Sequence, residues 1–358
     1  MGVVLGILRL RESKRNLSAC DRFLVFFSIS CLSKKILPKK IITLEEHFLA
    51  SSYRQYYERG DVFERFASSH LKELYDLDTI RLRDMDDADI DTQIVSNIGA
   101  SVPTLHGADE AALASEANDQ LARAIRVHPE RLAGFACLPM TDPPLATKEL
   151  DRSVGELKMK GAMIFGMQGG EFLDDKSYFQ VLERASELGV PIYLHPALPP
   201  PDIRKIYYSG FQPEVNAVFA SAGWGWHQEV GIHVLRLVLA GVFDKLPSLQ
   251  IIIGHMGESI PFMLDRVNKT FTPAAKNLEK SLKGYLLSNV YLTTSGFFSE
   301  ALLELALKTF GPDRVMFSVD YPFESNKTGV DFLNGITAIS REEKEKIAHL
   351  NAERVLKL

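Results

Sequence analysis

From Ile41 to the C-terminus, short apolar runs alternate with segments of helical periodicity, and few folds accept a chain patterned that way. The runs fall at 41–44, 92–96, 132–138, 161–165, 191–195, 249–254, 290–293 and 314–318, giving eight expected strands. Amphipathic segments at 109–127, 144–158, 176–188, 229–243, 260–270, 299–309 and 341–356 supply the expected helices. The stretch KSYFQVLERASELG ends on Gly189, where a helix C-cap favours glycine. Eight strands interleaved with helices point to an α/β fold, a (β/α)8 TIM barrel, with an open doubly wound sheet as the alternative. Two longer insertions, 50–81 after the first strand and 197–225 after the fifth, would emerge at the C-terminal mouth. The second, Pro- and Tyr-rich, suits a wall or lid over a pocket.

Charge separates the first 40 residues from the remainder. They hold nine Lys or Arg against Glu12 and Asp21, whereas the rest carries 32 basic and 44 acidic residues. So acidic a body is a poor match for phosphate backbones, and nucleic acid is not an expected partner. The three cysteines, Cys20, Cys31 and Cys137, show no CxxC spacing, which favours a reducing, cytoplasmic setting over a disulfide framework. The run FLVFFSISCL is ten residues long, too short for a membrane span. Residues 1–38 read as an irregular, disordered extension or a misassigned start, with an organelle presequence or a secretory signal peptide as the competing accounts, and residues 39–358 as the catalytic domain.

In a barrel the C-terminal ends of the strands share one site, so what each strand ends with is decisive. The first is followed by Glu45-Glu46-His47, the fifth by His195, the sixth by His255 and Glu258, and the eighth by Asp320. On an extended chain Glu45 and His47 face the same side and Glu46 the other, where its role is structural. Taken singly, each residue has a plain reading: a hydrogen-bonded loop histidine, a polar helix start, an aspartate in a turn before Tyr-Pro. Taken together, Glu45, His47, His195 and Asp320 form a mixed nitrogen and oxygen set suited to Zn2+ or Mn2+, with Mg2+ a further candidate and a position open to substrate. His255 suits acid–base work, with Glu258 either fixing its tautomer or stabilising a helix start. Arg266, two turns further on, suits either a substrate carboxylate or a salt bridge. His227 and His233 have no clear placement, His233 reading as packed.

The motifs ITLEEHF, PIYLHP, IIIGHMGES, YLTTSGFF and FSVDYPFE occur in this order, and with them the chain resembles the amidohydrolase-2 branch of the amidohydrolase superfamily. Within it the resemblance is to metal-dependent, non-oxidative decarboxylases of aromatic acids, and it extends over roughly residues 40–358. It implies that Glu45, His47, His195 and Asp320 ligate one divalent metal ion beside His255 and Glu258. It also implies a small aromatic carboxylic acid as substrate, no organic cofactor, and a homo-oligomer, dimer or tetramer. The family's classical hydrolases carry His-x-His on the first strand; Glu45 at the first position tilts the expectation toward C–C cleavage. A metal-dependent hydrolase of a lactone, amide or ester needs the same ligands and is the alternative. A metal-free binding protein on a retained barrel is the third reading.

Overall fold

The eight expected strands all form, and each pairs parallel with the next in sequence except β3 with β4, where a single parallel bridge, Ala136 to Ala162, takes the place of a ladder. The computed structural model describes residues 37–54, 69–98 and 106–358. The N-terminal extension lies outside these residues except for its last two, as does 55–68 of the first insertion. The strands are β1 (Ile42–Phe48), β2 (Thr92–Asn97), β3 (Leu132–Gly134), β4 (Ala162–Phe165), β5 (Ile192–His195), β6 (Ile251–Ile253), β7 (Val290–Thr293) and β8 (Val315–Met316). Ladder hydrogen bonds join β1-β2-β3 and β4-β5-β6-β7-β8. Every strand residue is buried, which is why the runs read as apolar without alternation.

Two less regular seams carry the sheet round into a barrel. Beyond β3, Ala136 N donates to Gly161 O at 2.8 Å and Met163 N to Ala136 O at 3.1 Å. On the other side, β1 and the chain leaving β8 are stitched largely by side chains. Leu44 N and Glu45 N donate to the Ser318 hydroxyl at 3.2 and 2.6 Å, at the point where β1 slips register against β2. Glu46 in turn accepts from Val319 N at 3.0 Å and Tyr321 N at 3.1 Å, and His47 N donates to Tyr321 O at 2.7 Å. Glu46 therefore has the structural place that strand alternation gives it: it holds the turn that carries Asp320.

Helices cover the outside of this ring. Asp142 caps Pro143–Gly155 by accepting from Leu145 N, and Gly189 ends Phe179–Leu188 at φ 63°. The helix expected at 229–243 starts earlier, as Gly225–Leu239, and the second insertion contains two short helices, Pro201–Tyr207 and Pro213–Ala220. They leave Ile206, Tyr207 and Val215 exposed, as the link between them does Phe211. Among the described residues no helix is long and apolar enough to cross a membrane.

Candidate metal centre

Strand β1 runs four residues beyond its expected end, so Glu45 and His47 belong to the strand itself and project from one face of it. Next to them come His195, the last residue of β5, and Asp320, four residues past β8. One ligand-type atom from each of the four lies within 4.8 Å of the other three. His47 Nε2 is 3.2 Å from Asp320 Oδ1, and His195 Nε2 is 3.2 Å from Glu45 Oε1. Asp320, the most accessible of the four at 17% side-chain exposure, marks the open side. Its φ of 79° is a strained value for a non-glycine residue, maintained by the Glu46 contacts on either side.

The neighbours of this cluster fix orientation and leave the inward atoms bare. Glu45 Oε2 accepts from the Tyr193 and Ser295 hydroxyls, while Tyr193 also bonds Thr293 at 2.8 Å. His195 Nδ1 meets its own Pro196 carbonyl at 2.7 Å, an arrangement that puts the hydrogen on Nδ1 and turns a lone pair on Nε2 inward. Glu45 Oε1 and His47 Nε2 are fully buried and make no hydrogen bond of good geometry. Two carboxylates this close in a dry site, beside an orphaned imidazole nitrogen, fit a divalent cation held by Glu45, His47, His195 and Asp320.

His255 stands beside the four. Its Nε2 is 3.7 Å from Asp320 Oδ2 and 3.9 Å from Glu45 Oε1, and its Nδ1 is 2.7 Å from Glu258 Oε1. Burial alone would lower its pKa, but Glu258, Glu45 and Asp320 overturn that and keep the ring well above the usual histidine range. Burial raises Asp320, yet His255 and His47 outweigh it and leave that carboxyl low. Glu258 does not lie in the first turn of the next helix, as its position in the sequence suggests. It sits at φ 52° in a left-handed turn that precedes Ile260–Phe271, so the helix-start reading fails and the contact with His255 stands. Arg266 is exposed on that helix, outside the cluster.

Two contributors escaped the sequence reading. Tyr193 lies two residues before His195, so the period of two that pairs Glu45 with His47 could have found it. His227 had no such signal: its Nδ1 approaches Glu258 Oε2 at 2.7 Å only because the helix Gly225–Leu239 packs there. His233 is packed, as expected, and accepts from Leu173 N at 2.8 Å. Three phenyl rings frame the centre. Phe165 lies 4.4 Å from the His195 ring, Phe323 5.9 Å from His47 and Phe297 5.5 Å from His255, between ring centroids.

On the same helix, burial pushes the Glu229 carboxyl up to about 8 from 4.5, with Glu258 adding to the rise. Its folded pKa is above its unfolded one, so its contribution to stability is full below about 4.5 and lost as pH rises toward 8. The Glu229→Gln protein is expected to lose less of its thermal midpoint than wild type between about pH 5 and pH 8. Parallel melting curves for the two proteins would refute this.

A family model described as amidohydrolase matches residues 48–358, and the chain belongs to that family. It is 37% identical over 328 residues to "Decarboxylase orsB" of Emericella nidulans, covering 89% of this chain and 97% of that protein. It is 35% identical over 328 residues to a γ-resorcylate decarboxylase of a Polaromonas species, covering 88% and 98%. Among solved structures, a dihydroxybenzoic acid decarboxylase from Polaromonas, with bound manganese and the inhibitor 2-nitroresorcinol, matches with a TM-score of 0.81 at 34% identity, covering 89% of this chain and 97% of that one.

Proposed function

We propose that the chain is a metal-dependent, non-oxidative decarboxylase of a 2-hydroxybenzoate-type acid. The observation that carries this is a buried donor set, Glu45, His47, His195 and Asp320, with two orphaned atoms, walled by Phe165, Phe297 and Phe323. A cation held by that set would attract a carboxylate, and the rings accept an arene. The similarity to decarboxylases over nearly the full length of each supports the same reading. Manganese is the metal we favour, since it is bound in the Polaromonas structure.

When bound, the cation supplies a positive charge for the carboxylate and ortho-hydroxyl oxygens of the substrate. Asp320 is the group that delivers a proton to the ring carbon bearing the carboxylate. His255, whose Nε2 lies 3.7 Å from Asp320 Oδ2, is the group placed to pass it that proton. The ring carbon gains that proton, the C–C bond breaks, and its electron pair restores aromaticity as CO2 leaves. Arg266 has no part in this reading, because it lies at the surface.

Purified protein loaded with Mn2+ and given 2,6-dihydroxybenzoate, 2,3-dihydroxybenzoate and related acids should release CO2 and the decarboxylated phenol. Turnover of lactones, amides or esters without CO2 would support the hydrolase instead. The homo-oligomer is supported by the large apolar side chains left exposed on the second insertion, Ile206, Tyr207, Phe211, Val215 and Val218. Light scattering giving a mass of 40.0 kDa would sink it. We place the protein in the cytoplasm on the basis of its cysteine usage, with residues 39–358 as the catalytic domain; fractionation of the source cells checks the location.

A further inference from the structure

The helix Gly225–Leu239 turns His227 into the protein, where the residue is 8% exposed and its Nδ1 lies 2.7 Å from Glu258 Oε2. The other oxygen of the same carboxylate lies 2.7 Å from His255 Nδ1. Each Glu258 oxygen thus serves one imidazole, and the two rings meet edge to face at 4.7 Å, with Phe297 against both. With Nδ1 donating to Glu258, the neutral ring is also fixed at its far end, its Nε2 accepting from Trp226 Nε1 at 3.2 Å. Helix and turn are tightly joined here, since a Cβ on Gly231 would come within 2.9 Å of Glu258 O.

These three residues could be taken for a second cation site, since their ligand atoms cluster as the first four do. The hydrogen bonding argues otherwise: both Nδ1 atoms already address separate oxygens of one carboxylate at hydrogen-bond distance. We propose that His227 is a positioning residue for the reaction assigned above, on which this inference rests. By holding Glu258 Oε2 it fixes the carboxylate that aims His255 Nε2 at Asp320. Without it a carboxylate oxygen of a fully buried side chain loses its donor, and Glu258 is free to reorient away from His255.

The test uses the full chain loaded with Mn2+, 2,6-dihydroxybenzoate as the probe, and the variants His227→Ala and His227→Asn. The Asn amide places an N–H near the position of Nδ1, so the conservative variant can restore the contact. His227→Ala should lower kcat about 10- to 100-fold, with KM within about twofold and ion content unchanged, and His227→Asn should recover to within about threefold. In 15N-histidine-labelled protein, the His255 Nδ1–H resonance should shift in His227→Ala and return in His227→Asn. Wild-type kcat in His227→Ala would overturn the proposal, as would a His227→Asn protein no better than His227→Ala, or loss of the metal from either. If no hydroxybenzoate is turned over even by wild type, the proposed function fails while the resonance still decides whether His227 holds Glu258 against His255; an unshifted resonance overturns the positioning role.

Discussion

Asp320→Asn is expected to lower kcat about 1,000-fold or more while leaving the protein folded, because the substitution removes the proton donor and keeps the shape. Asparagine retains the oxygen that faces His47 and a group that faces His255, at 3.2 and 3.7 Å from the present carboxylate, but its amide cannot hand a proton to carbon. It also removes one negative charge from the ligand set. The backbone argues for tolerance: asparagine is among the residues that most readily accept the left-handed conformation Asp320 adopts at φ 79°. Glu46 would go on bonding Val319 N and Tyr321 N, so the turn keeps its anchor. A thermal midpoint within a few degrees of wild type, together with lost CO2 release, is the expected pair of results. Near-normal turnover would remove Asp320 from the chemistry.

Removing the metal should have an effect of comparable size, seen in two separate measurements. Chelation is expected to abolish CO2 release, and Mn2+ to restore it. The same treatment should lower the thermal midpoint, because a cation that binds only the folded chain at about 100 times its Kd contributes about 2.7 kcal/mol. The physical cause lies in the site. Glu45 is completely buried, and His255, His195 and His47 hold its carboxyl low against a burial that would raise it. A buried carboxylate of this kind beside Asp320 needs positive charge, and once the ion is gone His255, His195 and His47 are what holds the Glu45 carboxyl ionised. Unchanged activity and unchanged melting after chelation would contradict the assignment of these residues.

How far the sequence foretold this site depends on which forces set each part. Burial on both faces leaves β4 to β7 as short apolar runs, and their expected positions differ from those observed by no more than two residues. β1 is harder to read because its last turn toward the mouth is polar: Glu45, Glu46 and His47 look like a loop until their partners across the barrel are known. β8 ends at Met316, short of its apolar run, because the Ser318 and Val319 amides donate to the side chains of Thr294 and Glu46 and not to the backbone of a neighbouring strand. The pairing of Glu45 with His47 follows from strand periodicity alone. The place of Glu258 does not, since a left-handed turn of His255, Met256, Glu258 and Ser259 leaves no mark in hydropathy. His227 depends on where a helix begins and what it packs against. That helix starts four residues earlier than its apolar periodicity implies, because Gly225 to Gln228 carry little of the apolar stripe.

The most direct test of the central claim is anomalous diffraction from crystals of the Mn2+-loaded protein. One strong peak per chain is predicted, enclosed by Glu45 Oε1, His47 Nε2, His195 Nε2 and Asp320, with no peak among His227, Glu258 and His255. A peak in that second cluster alone, or the absence of any peak touching both β1 and Asp320, would contradict the account.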